Sequence, residues 1–290
     1  MFFQQSLNAL QLGSIYALIA LGYTMVYGVL RLINFAHGDI FMIGSYLALF
    51  LAVTLHLPFV VVVPLTFAAV ALLGVTIERL AYKPLRNAPR VSAVITALAV
   101  GLFLETITLA TVGPEPRRFP SLVPVHQFSF AAFSASNVQV LIITSSILLM
   151  VALELFVAKT RTGMAMRALS WDKTYAPLLG INIDTIVSFT FAIGAGLAAV
   201  AGIFVGLAYP VIDPYMGIMV GWKAFVSAVI GGIGSIKGAV AGGFLLGAVE
   251  IISATFLPSS YKDMIVFGLL LVILLFKPAG LFGVPVQKKV

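Results

Sequence analysis

Charge and cysteine are what this sequence lacks: only 9% of its 290 residues are charged, and none is cysteine. Without cysteine the chain has no disulfide bonds and no thiolate metal sites. A soluble domain carries about 25% charged residues, and here too few polar side chains are present to cover a soluble core. The composition therefore excludes a soluble globular enzyme, a disordered chain and a nucleic-acid-binding module, and no nucleic-acid partner is expected.

Apolar residues make up 61% of the chain, and this excess indicates a polytopic integral membrane protein. The net charge of +7 comes from 17 basic and 10 acidic residues. In a membrane protein an excess of Lys and Arg collects in cytoplasmic loops and sets the orientation. The first basic residue is Arg31, so the N-terminal apolar segment is expected to stay in the membrane rather than be cleaved as a signal peptide.

Hydrophobic segments predict an all-α, polytopic transmembrane bundle of eight to nine spans. A hydrocarbon core about 30 Å thick needs about 20 apolar helical residues. Two segments, 216–233 and 262–276, are short, and a re-entrant path for one of them would leave eight spans. The nine segments are 8–30, 39–56, 59–80, 91–113, 137–158, 184–208, 216–233, 238–256 and 262–276.

Basic residues predict which loops are cytoplasmic. Lys and Arg concentrate in 79–90, in 159–173 and in the C-terminal tail, at Lys277, Lys288 and Lys289. An even number of segments separates these clusters, so all three fit on the cytoplasmic side. The N-terminus is then outside, the C-terminus is cytoplasmic, and 114–136 is the longest external loop. Arg117 and Arg118 in that loop oppose the rule.

Glycine marks two kinds of feature in the spans. Five GxxxG pairs fall in the last third of the chain and predict close helix packing, either within the chain or against a partner subunit. Glycine and polar residues also interrupt the hydrophobic pattern at 31–39 and 231–238, once in each half. Such a matched pair predicts broken helices, an internal repeat and a translocation pathway.

Ionisable residues inside the spans are few, and each needs a partner or water because a charge at a helix centre costs about 2.5–3.5 kcal/mol. Two interpretations stay open: these residues line a hydrated pathway, or they form structural ion pairs such as Lys223 with Glu250. The candidate translocation-pathway residues are Asn34, His37, Asp39, Glu105, Lys223, Gly231, Gly232, Gly234 and Glu250.

Motifs for chemistry are missing from the sequence. His37 beside Asp39 is too small a ligand set for a metal site, and a hydrogen-bonded loop histidine is favoured. The glycine run 232–238 has the spacing GxGxxxG without Gly-Lys-Ser/Thr, so it is neither a dinucleotide loop nor a P-loop. No HExxH or GxSxG motif occurs. The chain is therefore expected to be no enzyme and to hold no metal or cofactor.

One polar stretch, 159–182, is too hydrophilic to span a membrane and too long for a tight turn. Small residues are interspersed there with basic ones. Small residues would let a short helix lie close against another protein, but an amphipathic loop on the lipid headgroups is compatible with the same composition. The residues alone leave both interpretations open.

Four blocks, spread over nearly the whole chain, resemble the permeases of bacterial branched-chain amino acid ABC importers, of the LivH type. Four blocks in family order are far more specific than any single motif. They are GSIYALIALGYTMVYG at 13–28 running into INFAHGD at 33–39, ERLAYKPLR at 78–86, the stretch 159–182, and DP at 213–214 through KAF at 223–225 to GGIGS at 231–235.

The resemblance implies a single transmembrane permease domain over 1–290 in the bacterial inner membrane. The chain would form half of the translocation pathway of an ATP-driven importer for branched-chain or other apolar amino acids, delivered by a periplasmic solute-binding protein. Its partners would be a second related permease, two cytoplasmic ATPase subunits that hydrolyse the ATP, and the lipid bilayer.

The resemblance also implies that 159–182 is the cytoplasmic coupling loop that docks on the ATPase. Trp171 stands where a polar residue is expected, and Pro177 disfavours helix at Ala176, so the docking helix is expected to end near Tyr175. The implied ATPase-coupling residues are Arg161, Gly163, Arg167, Ala168, Asp172, Ala176 and Gly180.

Other substrates and mechanisms stay open at this point. Within the same family, urea, short amides and aromatic acids are alternative solutes. A proton- or sodium-coupled secondary transporter would use Glu105 and Glu250 as coupling carboxylates and would need no docking loop. A passive channel would need neither. Proton-dependent uptake would favour the secondary transporter, and ATP-independent uptake would favour either of these two.

Overall fold

The computed structural model describes residues 2–86, 88–130 and 133–283, so Lys288 and Lys289 of the predicted C-terminal cluster lie outside the described residues. The described part is mostly helical. Its α-helices are α1 (Phe2–Leu30), α2 (His37–Val53), α3 (Phe59–Ile77), α4 (Arg90–Val112), α5 (Asn137–Lys159), α6 (Arg161–Trp171), α7 (Ile183–Ala208), α8 (Met216–Gly231), α9 (Ile236–Phe256) and α10 (Lys262–Phe276).

Four short strands lie in loops, and the all-α prediction did not include them. β1 (Arg117–Arg118) pairs antiparallel with β4 (Val211–Ile212), and Arg117 lies opposite Ile212. β2 (Gln127–Phe130) and β3 (Phe133–Ser136) form a second antiparallel pair. The hydrophobic pattern of the spans carries no signal for them because they fall between spans.

Six described helical runs are long and apolar enough to cross a membrane: α1, α4, α5, α7, α9 and the run Phe59–Leu85 that begins with α3. α2 and α8 are apolar but have only 17 and 16 residues, and α10 has 15. The chain is thus a multi-helix membrane protein with at least six candidate spans. The count of eight to nine and the internal repeat remain predictions.

Side chains that cap the helices explain several of their starts. Ser136 precedes α5, and its hydroxyl accepts a hydrogen bond from the Gln139 amide at 3.1 Å while the Gln139 side chain bonds back to the Ser136 amide. This reciprocal capping box satisfies two backbone donors that a helix leaves unpaired. Ser235 caps α9 through a single bond of this kind, because its hydroxyl oxygen accepts from the Gly238 amide at 3.1 Å.

The bundle has two chemically distinct ends. One end, called the basic end, holds the ends of α1, α5, α8 and α10 and the starts of α4, α7 and α9; its described basic side chains are Arg31, Arg79, Lys83, Arg86, Lys159, Arg161, Arg167, Lys173, Lys237 and Lys277. The opposite end, called the hairpin end, holds both strand pairs, together with Arg117, Arg118 and Lys262.

Helix α1 lies at the centre of the bundle, where every residue from Leu12 to Val26 is buried. Small residues allow this, because Gly243 and Gly247 of α9 lie directly against the backbone of Ala17 and Gly13 of α1. Close backbone approach of this kind supplies the dispersion contacts that hold membrane helices together. The packing predicted from GxxxG pairs therefore occurs within the chain at this pair.

The first predicted break is a long interruption that reaches the middle of the bundle. α1 ends at Leu30, Arg31 has φ of +55°, and an irregular segment at 31–36 leads to the start of α2. The α2 residue Asp39 lies against Gly101, halfway along α4. An ordinary loop between two full spans would have kept these residues at the bundle end.

The second predicted break differs from the first in kind. Residues 231–238 form a tight turn from α8 to α9, in which Gly232 and Gly234 have φ of +106° and +97°, a region that favours glycine. The interruption whose following helix meets the start of α2 is instead 209–215, between α7 and α8. Gly38 in the first turn of α2 packs directly on Gly217 in the first turn of α8.

Candidate functional site

The meeting point of the α2 and α8 first turns opens into a cavity of about 210 Å³, called here the central pocket. Gly38, Gly217 and Gly221 bring the two helix starts together, since a methyl group on any of them would overlap the opposing backbone. Apart from two carboxylates and glycines, the pocket is lined by Tyr23, Phe35, Leu98, Leu102, Ile218 and Trp222.

The two carboxylates of the central pocket are Asp39 and Glu105, both predicted pathway residues. Asp39 is only 8% exposed, and its Oδ1 has no hydrogen-bond partner among the described residues. Its carboxylate lies between Gly101 of α4 and Gly217 of α8. Glu105 lies one helical turn along α4 from Gly101 and is 9% exposed. Residues four apart share a helix face, which brings both acids to one cavity.

His37 lies next to the central pocket but is buried behind it. Its ring meets Tyr23 edge-on, with centroids 4.7 Å apart, and sits in the space left by Gly22 of α1. Nε2 of His37 has no hydrogen-bond partner among the described residues. No group of three or more potential metal-ligating side chains occurs in the described ranges.

Asn34 holds the irregular segment 31–36 in position. It is buried, and its Oδ1 accepts hydrogen bonds from the Ala36 amide at 3.2 Å and from the Tyr82 hydroxyl at 2.7 Å. Tyr82 ends the short π-helix Glu78–Tyr82 that follows α3. The side chain of Asn34 therefore ties 31–36 to the basic end rather than lining the central pocket.

Lys223 and Glu250 form an ion pair away from the central pocket. Lys223 Nζ lies 2.7 Å from Glu250 Oε1 and 2.8 Å from Asp263 Oδ1, and the Tyr16 hydroxyl donates to Glu250 Oε2 at 2.7 Å. Lys223 and Glu250 are both buried. Of the two interpretations that the sequence left open, the geometry matches the structural ion pair for these residues, because each charge is compensated in place.

The predicted pathway glycines Gly231, Gly232 and Gly234 lie in the basic-end turn, not in the central pocket. Gly231 packs on Gly238, and Gly232 packs on Gly283. The amides of Leu281 and Phe282 donate to the carbonyls of Ile230 and Gly231 at 2.8 and 2.9 Å. These glycines give the turn its shape and receive the segment after α10.

A cluster of charges at the basic end was not among the predicted site residues. Glu78 is completely buried, accepts a hydrogen bond from Ser188 at 2.7 Å and pairs with Arg86, which also pairs with Asp184. Lys83 adds a second cation on Asp184 at 2.5 Å. These pairs join the segment after α3 to the start of α7. In the sequence, the block 78–86 was the signal that could have revealed this charge cluster.

The predicted coupling helix is shorter than expected: α6 ends at Trp171, not near Tyr175. Asp172 ends it, because its Oδ1 accepts from the amides of Thr174 at 2.7 Å and Tyr175 at 3.3 Å. Such Asx turns compete with helix. Pro177 then lies in the first turn of the 3-10 helix Ala176–Leu179, where its missing N–H costs nothing.

The predicted coupling residues divide between exposed and buried positions. Arg161, Arg167 and Gly180 are exposed, Ala168 and Asp172 are half-buried, and Gly163 and Ala176 are buried. Gly163 allows the sharp turn from α5, where its amide donates to Thr160 Oγ1 at 3.0 Å. Gly163 and Ala176 therefore shape the segment and offer no surface.

Large apolar side chains project from the same segment, and sequence reasoning noted only Trp171 among them. Trp171 is 90% exposed. Four further exposed apolar side chains lie in the same segment at the basic end, and the five together are called here the coupling surface: Met164, Trp171, Tyr175, Leu178 and Leu179. Exposed apolar patches of this kind mark sites of protein or membrane contact.

A hydrogen bond joins this segment to the first break. Lys173 Nζ donates to the carbonyl oxygen of Leu30 at 2.6 Å, and Leu30 is the last residue of α1. The irregular segment 31–36 begins at Arg31, directly after Leu30, and ends at the first turn of α2, which carries Asp39. Movement of the coupling segment therefore has a direct covalent and hydrogen-bonded route to the central pocket.

The chain has clear relatives among known proteins. Residues 5–275 match the family model described as branched-chain amino acid transport system / permease component. The chain is 43% identical over its full length to the high-affinity branched-chain amino acid transport system permease protein LivH of Escherichia coli K12, covering 98% of that protein. It is also 43% identical to the permease protein BraD of Pseudomonas aeruginosa, with 100% and 98% coverage. No solved structure matches it.

Proposed function

The chain belongs to the family of permease components of branched-chain amino acid transport systems, and from this we propose that it forms half of the translocation pathway of an ATP-driven importer. The solutes are branched-chain amino acids, delivered by a periplasmic solute-binding protein. The observation that carries the proposal is the full-length identity of 43% to two permeases of such systems. The chain binds no nucleotide itself; ATP hydrolysis belongs to partner ATPase subunits.

The distribution of basic residues supports an orientation in the bacterial inner membrane. Most described Lys and Arg side chains lie at the basic end, and such residues collect on the cytoplasmic side of membrane proteins. The basic end is therefore cytoplasmic in this proposal. The N-terminus and the hairpin end face outside, the C-terminus is cytoplasmic, and α2, α8 and α10 complete eight to nine spans of one permease domain over 1–290.

The coupling surface is the proposed docking site of an ATPase subunit. It lies at the proposed cytoplasmic end, and Arg161 and Arg167 stand exposed beside its apolar side chains. An apolar patch with a charged rim suits a protein partner. Two ATPases, this chain, a second related permease and the binding protein make up the proposed importer.

The proposed mechanism follows the route from the coupling surface to the central pocket. ATP binding draws the ATPases together and displaces the segment 159–182. The hydrogen bond from Lys173 displaces Leu30 as well. The irregular segment 31–36 then shifts the first turn of α2 against α8. Because Gly38, Gly217 and Gly221 form the backbone contact between these two helix starts, a small displacement changes access to the pocket without unpacking large side chains.

A secondary-transport mechanism has less support. Glu250, one of its two candidate coupling carboxylates, is paired with Lys223 and bonded to Tyr16. The exposed coupling surface also has no role in a transporter that works alone. Urea, short amides and aromatic acids are solutes of an alternative proposal within the family, and the relatives named above do not favour it.

The test combines purification with transport. The tagged chain is solubilised from native membranes in mild detergent, and the proteins that accompany it are identified by mass spectrometry. Two ATPases and a second permease are expected. The assembly is then placed in liposomes with enclosed ATP and leucine-loaded binding protein outside. Accumulation of radiolabelled leucine should need ATP and persist with a protonophore. Recovery of the chain alone, with protonophore-sensitive uptake, would refute the proposal.

A further inference from the structure

We infer that Asp39 and Glu105 form a site in the central pocket for the ammonium group of the transported amino acid. This inference rests on the proposed transport function and names the part of the solute that the permease itself recognises. It follows from the placement of two carboxylates in one cavity, from the lack of a described cation paired with either, and from the apolar walls around them.

Asp39 is held in a position where the folded chain leaves one of its carboxylate oxygens without a hydrogen-bond partner. It is more than nine-tenths buried, and its Oδ1 lies against the first turn of α8 without a hydrogen-bond partner in the described part of the chain. A buried polar atom without a partner costs free energy. Such an atom at the wall of a cavity is a natural acceptor for a ligand.

Glu105 repeats the pattern one helical turn away. It is also nine-tenths buried, and it forms no ion pair or hydrogen bond with any described residue. The acids elsewhere in the buried interior are treated differently: Glu78 has Arg86 and Ser188, and Glu250 has Lys223 and Tyr16. Asp39 and Glu105 are thus the two buried described carboxylates that lack a cation.

Among the described residues, no basic side chain lines the central pocket, so two negative charges share one cavity without compensation. A cation that enters gains from both carboxylates and relieves their mutual repulsion. An amino acid brings such a cation in its ammonium group. The negative charge of Asp39 at the start of α2 also complements the helix dipole, but that interaction gives Glu105, in the middle of α4, no role.

The remaining walls suit the other half of the solute. Leu98 and Leu102 of α4 and Ile218 of α8 are aliphatic, and Phe35 and Trp222 lie with ring centroids 5.4 Å apart. An aliphatic side chain can pack there, and the aromatic faces add a further attraction for a cation. The pocket therefore distinguishes an amino acid from a solute of similar shape that lacks the ammonium group.

Trp222 allows the site to be tested directly, because the chain has only two tryptophans. In the full chain with Trp171→Phe, placed in lipid nanodiscs, Trp222 is the single tryptophan fluorophore and lies at the pocket wall. The probes are two matched pairs: leucine against 2-hydroxy-4-methylpentanoate, and 3-methylbutylamine against 3-methyl-1-butanol. Each pair has the same carbon skeleton with and without the ammonium group.

Leucine and 3-methylbutylamine should change the Trp222 emission saturably, and the hydroxy acid and the alcohol should not. Glu105→Gln and Asp39→Asn should each weaken amine binding at least tenfold. Glu115→Gln, an exposed acid of the hairpin end, is the matched control and should bind as the parent does. Size-exclusion profiles and melting temperatures report whether each variant is folded.

Equal responses to the amine and the alcohol would overturn the inference without any variant. Unchanged amine binding in both folded variants would also overturn it and would leave Asp39 with only its interaction with the α2 dipole. The transport proposal fails separately: ATP-driven leucine uptake that is unaffected by Glu105→Gln refutes the ammonium site alone. Selective amine binding with no ATP-driven uptake refutes the importer alone.

Discussion

Lys173 and Leu30, which are 143 residues apart in the chain, are joined by a hydrogen bond of 2.6 Å from the lysine ammonium to the last carbonyl of α1. This bond lies between the coupling surface at one end and the first turn of α2 at the other. It gives the proposed ATPase motion a specific point of entry into the part of the chain that shapes the central pocket.

Replacement of Lys173 by methionine should uncouple transport from ATP hydrolysis. The substitution keeps the aliphatic stem and removes the charged donor, whose partly buried hydrogen bond is worth about 1 kcal/mol. We expect leucine uptake to fall roughly fivefold, while the assembly keeps its ATPase subunits and its ATP hydrolysis. Uptake and hydrolysis are measured in the same liposomes. Lys159→Met, an exposed lysine at the end of α5, is the control; equal loss in both variants would contradict the role of the Lys173 bond.

Replacement of Trp171 by glutamate should separate the chain from its ATPase subunits. A charge in the centre of an apolar docking surface must be desolvated on binding and finds no partner there. We expect the ATPases to be lost on purification, while the melting temperature of the chain stays unchanged because Trp171 is 90% exposed. Val125→Glu, at the hairpin end, is the control. ATPases that stay bound to Trp171→Glu would exclude this surface as the docking site.

Reversal of charge at Arg167 tests the rim of the coupling surface. Arg167 is exposed and bonds to the Ala158 carbonyl at 3.1 Å. We expect Arg167→Glu to abolish ATP-driven uptake while the chain remains inserted and folded, as judged by its elution from size-exclusion chromatography. Uptake at the level of the parent protein would show that Arg167 has no part in coupling.

Substitution of Gly243 by alanine should destabilise the bundle. The added methyl group overlaps the backbone of Ala17 on α1, and overpacking of this kind costs about 1–3 kcal/mol. Gly268→Ala on α10 is the matched control, because nothing lies within 4 Å of its new methyl group. Thermal unfolding in detergent should show a lower midpoint for the first variant only. Equal midpoints would mean that α1 and α9 move apart to make room for the methyl group without loss of stability.

Removal of one member of the Lys223–Glu250 pair should cost more than removal of both. Lys223→Met leaves the buried Glu250 without its main cation, a loss of about 3–5 kcal/mol in comparable buried pairs. Lys223→Met combined with Glu250→Gln should recover much of the stability, which is measured by thermal unfolding. A double variant whose loss equals the sum of the two single losses would argue against the pair as a structural unit.

The positions of the long helices could be predicted from the sequence because apolar length is a local property. The family could also be recognised from four ordered blocks. The sequence even named Lys223 with Glu250 as a possible pair, since few other charges were available to compensate one another. All of these inferences use either neighbouring residues or the scarcity of charge.

The central pocket could not be predicted as a site, because its parts come from distant segments. Asp39 and Glu105 were both candidates, but their meeting depends on Gly38, Gly101 and Gly217, which let three helices approach. The glycine turn at 231–238 looked like a partner to the break at 31–39, yet the segment in that role is 209–215, which contains no glycine. The end of α6 was misplaced since the Asx turn of Asp172 acted before Pro177.

The burial of α1 has a consequence for the order in which the protein is made. α1 is synthesised before the helices that enclose it, so at first its small residues and the Tyr16 hydroxyl face lipid. The bond from Tyr16 to Glu250 and the contacts of Gly13 and Ala17 form only when α9 arrives, more than 200 residues later. A chain cut short before α9 would leave α1 with an unpacked polar face, a signal by which membrane quality control could recognise an unfinished permease.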